Sequence, residues 1–233
     1  METAAINENM IHKSENRTDR WAKTITAGVL VVWLALVLEL GANGSFVRRP
    51  GSIPLPIIIG VIAPLIVFFA AFRLSESFHS LVLTADVRLM AGIQAWRFAG
   101  LGFLALYANG VLPGFFAWPA GVGDMFIGLT APWVIMALIQ RPDFKSSSLF
   151  IGWNLLGILD LVVAISTGAL SSGLAPGIVG ATTTAPMAHL PLVLIPAYLV
   201  PLFIMLHLAT LFQVSTSSSR NVSKVAMSYS NVG

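Results

Sequence analysis

The sequence predicts an all-α fold: a bundle of six transmembrane helices with both termini on the cytoplasmic side. Three observations predict it. Apolar runs of ~20 residues recur along the chain, and a helix of that length crosses the ~30 Å hydrocarbon core. Hydrophobic residues make up 56% of the 233 positions and charged residues only 10%, against about 25% charged in a soluble domain, so lipid is the implied solvent. The loop Lys and Arg residues are also unevenly placed. With the amino terminus inside, ten lie on the inner side and only Arg48 and Arg49 outside, as the positive-inside rule requires.

The elements follow in order. Residues 1–23 form a polar cytoplasmic tail carrying Lys13, Arg17, Arg20 and Lys23. The first apolar run is full length and is not followed by a small-residue cleavage site, so it reads as an uncleaved span. Six spans are expected at Thr24–Asn43, Ile53–Phe72, Leu89–Ala108, Gly123–Gln140, Ser148–Gly168 and Leu190–Phe212. Together 24–212 make the transmembrane domain. Residues 213–233 are Ser-rich and read as a disordered cytoplasmic tail.

Two outer loops, NGVLPGFFAWPAGV and SSGLAPGIVGATTTAPMAH, carry no Lys, Arg, Asp or Glu. They read either as interfacial turns with Trp118 as an aromatic anchor, or as re-entrant or lid segments over an outward cavity, where protein or water satisfies the irregular backbone. In the sixth span Pro196 and Pro201 supply no N–H to the carbonyls of Leu192 and Ala197. Carbonyls freed in this way can line a polar-ligand site; alternatively they mark a kink satisfied by neighbouring helices. Trp96–Gly100 and Trp153–Gly157 share a Trp-x-x-x-Gly pattern, a faint echo between the third–fourth and fifth–sixth hairpins.

Charges inside the spans are the best clue to function, because hydrocarbon penalises each by ~3 kcal/mol or more unless it is paired or faces a cavity. At a rise of ~1.5 Å per residue, Arg97 lies ~12 Å from the inner end of its span, Asn154 ~9 Å, Asp160 ~18 Å and His207 ~7 Å. Gln94, three residues before Arg97, shares its helix face. Arg97, Asp160, Asn154, Gln94 and His207 can therefore meet in one inner-half cluster, with Arg97 and Asp160 as an ion pair and Trp96 and Trp153 as walls of a pocket between spans three, five and six. Glu39, Asp124 and His189 form a second set near the outer end, where Asp124 suits the positive end of a helix dipole.

Cysteine is absent, which removes disulfides, thiolate zinc sites and cysteine-ligated iron–sulfur clusters. His189 and His207 stand ~27 Å apart along one helix and cannot share a metal. No metal site and no cofactor are expected, and the net charge of +3 bears on membrane orientation rather than nucleic acid. Phosphate-binding glycine loops, the Gly-x-Ser-x-Gly elbow and His-Glu-x-x-His are missing.

Two family resemblances add expectations. Gly121-Val122-Gly123-Asp124 resembles the Gly-x-Gly-Asp motif of intramembrane aspartyl proteases and prepilin peptidases, which implies Asp124 as one of two catalytic carboxylates that share a proton. The partner in those enzymes comes from an earlier span, and no earlier span here carries an Asp. The stretch from Arg97 to Leu138 is similar to small bacterial DoxX-like membrane proteins, in Arg97-x-x-Gly100-x-x-Phe103-Leu104, in the Pro119-Ala120-Gly121 entry and in a small-residue helix through Gly128. That resemblance implies an accessory subunit of a respiratory or redox complex and no catalytic residue. The leading expectation is a non-enzymatic protein of a bacterial inner membrane that binds or moves a small polar or amphipathic ligand, or docks a membrane partner subunit.

Overall fold

A computed structural model describes the backbone of residues 2–49, 51–175 and 181–230, and the side chains of 20–49, 51–175 and 181–216. The described residues form helices and no strands. Among the described residues, six helices are long and apolar enough to cross a membrane: Arg20–Ala42, Leu55–Leu74, Val87–Ala108, Gly114–Gln140, Ser148–Leu174 and Ile195–Thr216. The protein is a multi-pass integral membrane protein.

The fourth span differs most from expectation. It begins at Gly114 and not at Gly123, because the stretch read as an outer loop is helical, with Pro119 and Pro132 inside the helix. Gly and Pro are tolerated in lipid-embedded helices, where neighbouring segments compensate the freed backbone groups. The connection between spans three and four shrinks to a short turn, so it is neither re-entrant nor a lid. Trp118 sits on the helix, half exposed, with Tyr107 across an edge contact of 6.1 Å.

The third span is not a uniform helix. Val87–Ile93 is α, Gln94–Gly100 is 3-10, and Leu101–Ala108 is α again. Its middle stretch exceeds the usual three or four residues of such a helix, and close packing against the fourth span accounts for it. A Cβ on Gly128 would overlap the Phe98 backbone, and one on Gly100 would press into Asp124 and the Gly121 carbonyl. Small residues let helices approach this closely in membranes. The tighter winding also eclipses positions three apart, and Gln94, Arg97 and Gly100 all face inward.

The sixth span absorbs its prolines with a π-helical turn over Ile195–Leu199 that leads into an α-helix from Val200. The Leu192 carbonyl is not free as expected: it accepts the Ile195 N–H at 3.0 Å. The helix also continues past Phe212. Gln213 is buried, donates from its amide to Val82 O and Ala85 O, and accepts from Lys145 Nζ at 2.8 Å. Desolvation at this site lowers the Lys145 pKa below its ordinary value. Stacked Phe68, Phe72 and Phe212 knit the same end of the bundle, and the short helix Glu76–Thr84 packs there through Phe78.

Candidate functional site

The centre of the bundle is organised by one arginine. Arg97 is 2% exposed, and the guanidinium is held on three sides. Its Nε donates to Asp124 Oδ1 at 2.7 Å, its Nη2 donates to Asp160 Oδ2, and its Nη1 donates to the Gly157 carbonyl at 3.3 Å. Nη1 also lies 3.2 Å from His207 Nε2, and the Phe203 ring covers the guanidinium at 6.0 Å. Spans three, four, five and six each contribute to this clamp.

The hydrogen bonds continue in one direction. Asn154 commits its amide nitrogen to the Phe150 carbonyl at 2.8 Å, so its Oδ1 must accept from His207 Nδ1 at 2.9 Å. That leaves His207 Nε2 as an acceptor for Arg97, which assigns the tautomer from the network. Trp153 closes the far side, its ring T-shaped against the His207 ring with centroids 5.4 Å apart and its Nε1 donating to Thr130 Oγ1 at 2.9 Å. Gln94 donates to the Phe203 carbonyl at 3.3 Å, and among the described residues its Oε1 has no partner.

Five of the expected site residues therefore converge: Arg97, Asp160, Asn154, Gln94 and His207. Trp153 packs on them as well. Trp96 does not; it is 78% exposed and points away from the bundle, because its 3-10 stretch turns the Gln94–Arg97–Gly100 face inward and carries Trp96 outward. The Trp-x-x-x-Gly echo thus places its two tryptophans differently.

Asp124 is the member of the cluster that the sequence places elsewhere, at an outer helix end where a dipole favours it and, by the Gly-x-Gly-Asp resemblance, as a catalytic carboxylate. In the structure its helix starts at Gly114, so Asp124 lies ~15 Å down the span, level with Arg97 at the middle of the third. The signal that would have found it is the inward register of Ala117, Gly121, Asp124, Gly128 and Ala131, a stripe of small residues interrupted by one carboxylate. All but Asp124 are fully buried, and Asp124 keeps 14% of its side chain exposed.

That exposure faces a cavity. A space of about 120 Å³ lies among the second, fifth and sixth spans, reached from the end of the bundle that carries Arg48 and Arg49. Its walls include Val61, Phe103, Phe116, Leu161, Ile165 and Val200, with Asp124 at the inner end. Residues 183–188 of the charge-free fifth loop fold across it, pinned by Thr184, which donates from Oγ1 to Gly168 O and from its N–H to Ser171 O. Residues 176–180 of that loop lie outside the described residues. The cavity thus lies at the end of the bundle that carries the fifth loop, and it is not bounded by Arg97 and Asn154, which are buried beneath Asp124 and Leu161.

A second hollow, of about 530 Å³, lies at the opposite end between Arg73, Glu76, His79 and Gln213. It is open and polar, and it does not reach the arginine cluster.

The fold and this buried cluster define a six-span helical membrane protein with a polar centre. The chain belongs to the family described as Domain of unknown function (DUF8737), whose model matches residues 54–215. The match takes in spans two to six and therefore the whole Arg97 network. No curated protein and no solved structure matches the chain.

Proposed function

We propose that the protein binds a small amphipathic ligand in the cavity beside Asp124, with the termini cytoplasmic and the Arg48–Arg49 end outward, in a bacterial inner membrane. The observation that carries this reading is the cavity itself. Ligand sites combine apolar walls with a few convergent polar groups, and this space has hydrocarbon walls, one accessible carboxylate and two arginines at its rim. The ion-paired cluster below it serves as a fixed polar floor. Moving a ligand onward would require that floor to open, because the clamped guanidinium fills the path between spans, so binding is the core of the proposal and transport an extension of it.

The test is ligand-dependent stabilisation of the purified protein against a panel of amphiphiles, with Ala164→Phe as the blocked control. Ala164 lines the cavity, and a benzyl group there fills a space close to the ~150 Å³ that holds one benzene. Stabilisation in the native protein that disappears in Ala164→Phe supports the reading; equal response of the two proteins contradicts it.

A second reading rests on a separate observation. The Gly-x-Gly-Asp resemblance lacked a partner carboxylate in an earlier span, and Asp160 from a later span stands on the same guanidinium as Asp124. An intramembrane aspartyl hydrolase would use that pair. The two carboxyl groups also interact directly with each other. Against the hydrolase reading, the Arg97 guanidinium ion-pairs with both of them, whereas a proton-sharing acid pair relies on two carboxyl groups without such a counter-charge. Loss of proteolysis of a membrane substrate on Asp124→Asn would favour this reading. The accessory-subunit reading predicts instead a stoichiometric partner retained through purification in mild detergent.

A further inference from the structure

The occupant's chemistry can be narrowed, on the assumption that the cavity is a ligand site. We propose that the cavity takes a single-chain amphiphile with an anionic head, chain inward and head against Arg48 and Arg49.

The hydroxyls around the cavity leave little for a ligand. Ser52 donates to Arg49 O, Ser172 to Ala169 O and Thr184 to Gly168 O, each at 2.7 Å, and Thr183 accepts the Ala185 N–H. Their polarity is turned into the protein's own backbone, so the middle of the cavity offers hydrocarbon. Recognition then rests on the charges at its two ends.

Those ends have opposite signs. Arg48 and Arg49 are exposed at the rim, and no described residue forms an ion pair with either. Among the described residues they are also the Lys and Arg side chains on their side of the six-span arrangement, the other loop Lys and Arg falling on the opposite side. Asp124 at the inner end already accepts from Arg97 and presents its remaining surface to the cavity. An anionic head is attracted to the rim and repelled by Asp124, while a cationic head is repelled at the rim it must pass. An uncharged chain end meets mostly carbon along the way. The field therefore sets both the sign of the head and the direction of entry.

Two sources share this chemistry: a free single-chain amphiphile, and one chain of an anionic bilayer lipid. The probe is radiolabelled dodecyl phosphate bound to the full-length protein in discs of zwitterionic lipid, corrected for uptake by empty discs. Dodecanol and dodecyltrimethylammonium compete against it, since they carry the same chain with other heads. The proposal expects dodecyl phosphate to bind at least ~tenfold tighter than either competitor, on the scale of charge-assisted contacts to a guanidinium. It expects Arg48→Gln/Arg49→Gln to remove that preference, and both residues are exposed, so the fold should tolerate the change. Equal binding by all three heads, or an unchanged preference in the double variant, overturns the proposal. If Ala164→Phe then still abolishes binding, the ligand site stands and only the head-group assignment falls. If Ala164→Phe binds as the native protein does, both fall. Repeating the measurement in discs of anionic lipid separates the sources: masking of the probe identifies a bilayer lipid chain, and unaltered binding identifies a free amphiphile.

Discussion

At the residue scale, one guanidinium serves two carboxylates in a low-dielectric centre. Removing the shared partner of a buried ionic group leaves uncompensated charge, which costs about 3–5 kcal/mol. Arg97→Gln strands both Asp124 and Asp160 and is expected to cost at least that much. Asp124→Asn or Asp160→Asn leaves a one-to-one pair and a shape-matched amide, and is expected to cost only about 1–2 kcal/mol, the scale of one weakened charged hydrogen bond. Unfolding titrations of the three variants in one detergent check the order; an Asp160→Asn loss as large as that of Arg97→Gln would contradict the shared-partner arrangement. The Arg97–Asp160 pairing was legible in the sequence because two isolated charges in apolar runs have few ways to avoid the desolvation penalty. Asp124 was not legible as its third member. Its depth depends on where the helix begins, and Pro119 and the neighbouring glycines imitate a loop under the rules of water-soluble chains.

At the element scale, the contact between the third and fourth spans depends on glycines. Gly128→Ala pushes a methyl group into the Phe98 backbone, and overpacking of this kind costs about 1–3 kcal/mol. Gly102 has open space where a Cβ would go, so Gly102→Ala is expected to be neutral or to stabilise by up to about 1 kcal/mol from helix propensity. Thermal unfolding of this pair of variants measures the difference, and equal stability of the two would contradict the close approach. The existence and order of the spans were readable from hydropathy alone. The 3-10 stretch at Gln94–Gly100 and the π turn at Ile195–Leu199 were not, because both are responses to the partner helix rather than to local propensity. The same limit explains Trp96: a uniform helix and a 3-10 segment send that side chain in different directions.

At the scale of the whole molecule, the uneven loop charges predict a cytoplasmic carboxyl terminus. A reporter fused after Gly233 should be active in the cytoplasm, and a signal from the far side of the membrane would invert the assignment. Orientation matters for function, because it decides which side supplies the ligand to the Arg48–Arg49 rim. The buried residues from Arg97 to His207 lie between the cavity and the hollow near His79 at the opposite end of the bundle.

The central claim is that the cavity beside Asp124 is occupied by the hydrocarbon part of an amphiphile. The most direct measurement is photo-cross-linking with a twelve-carbon amphiphile carrying a diazirine at its chain end, followed by mass spectrometry of the labelled peptides. The account predicts adducts concentrated on the cavity walls at Leu161, Ala164, Ile165 and Val200, and their loss in Ala164→Phe. Adducts confined to lipid-facing positions such as Ile62, Ile66, Val67 and Val162, with none on the cavity walls, would contradict it.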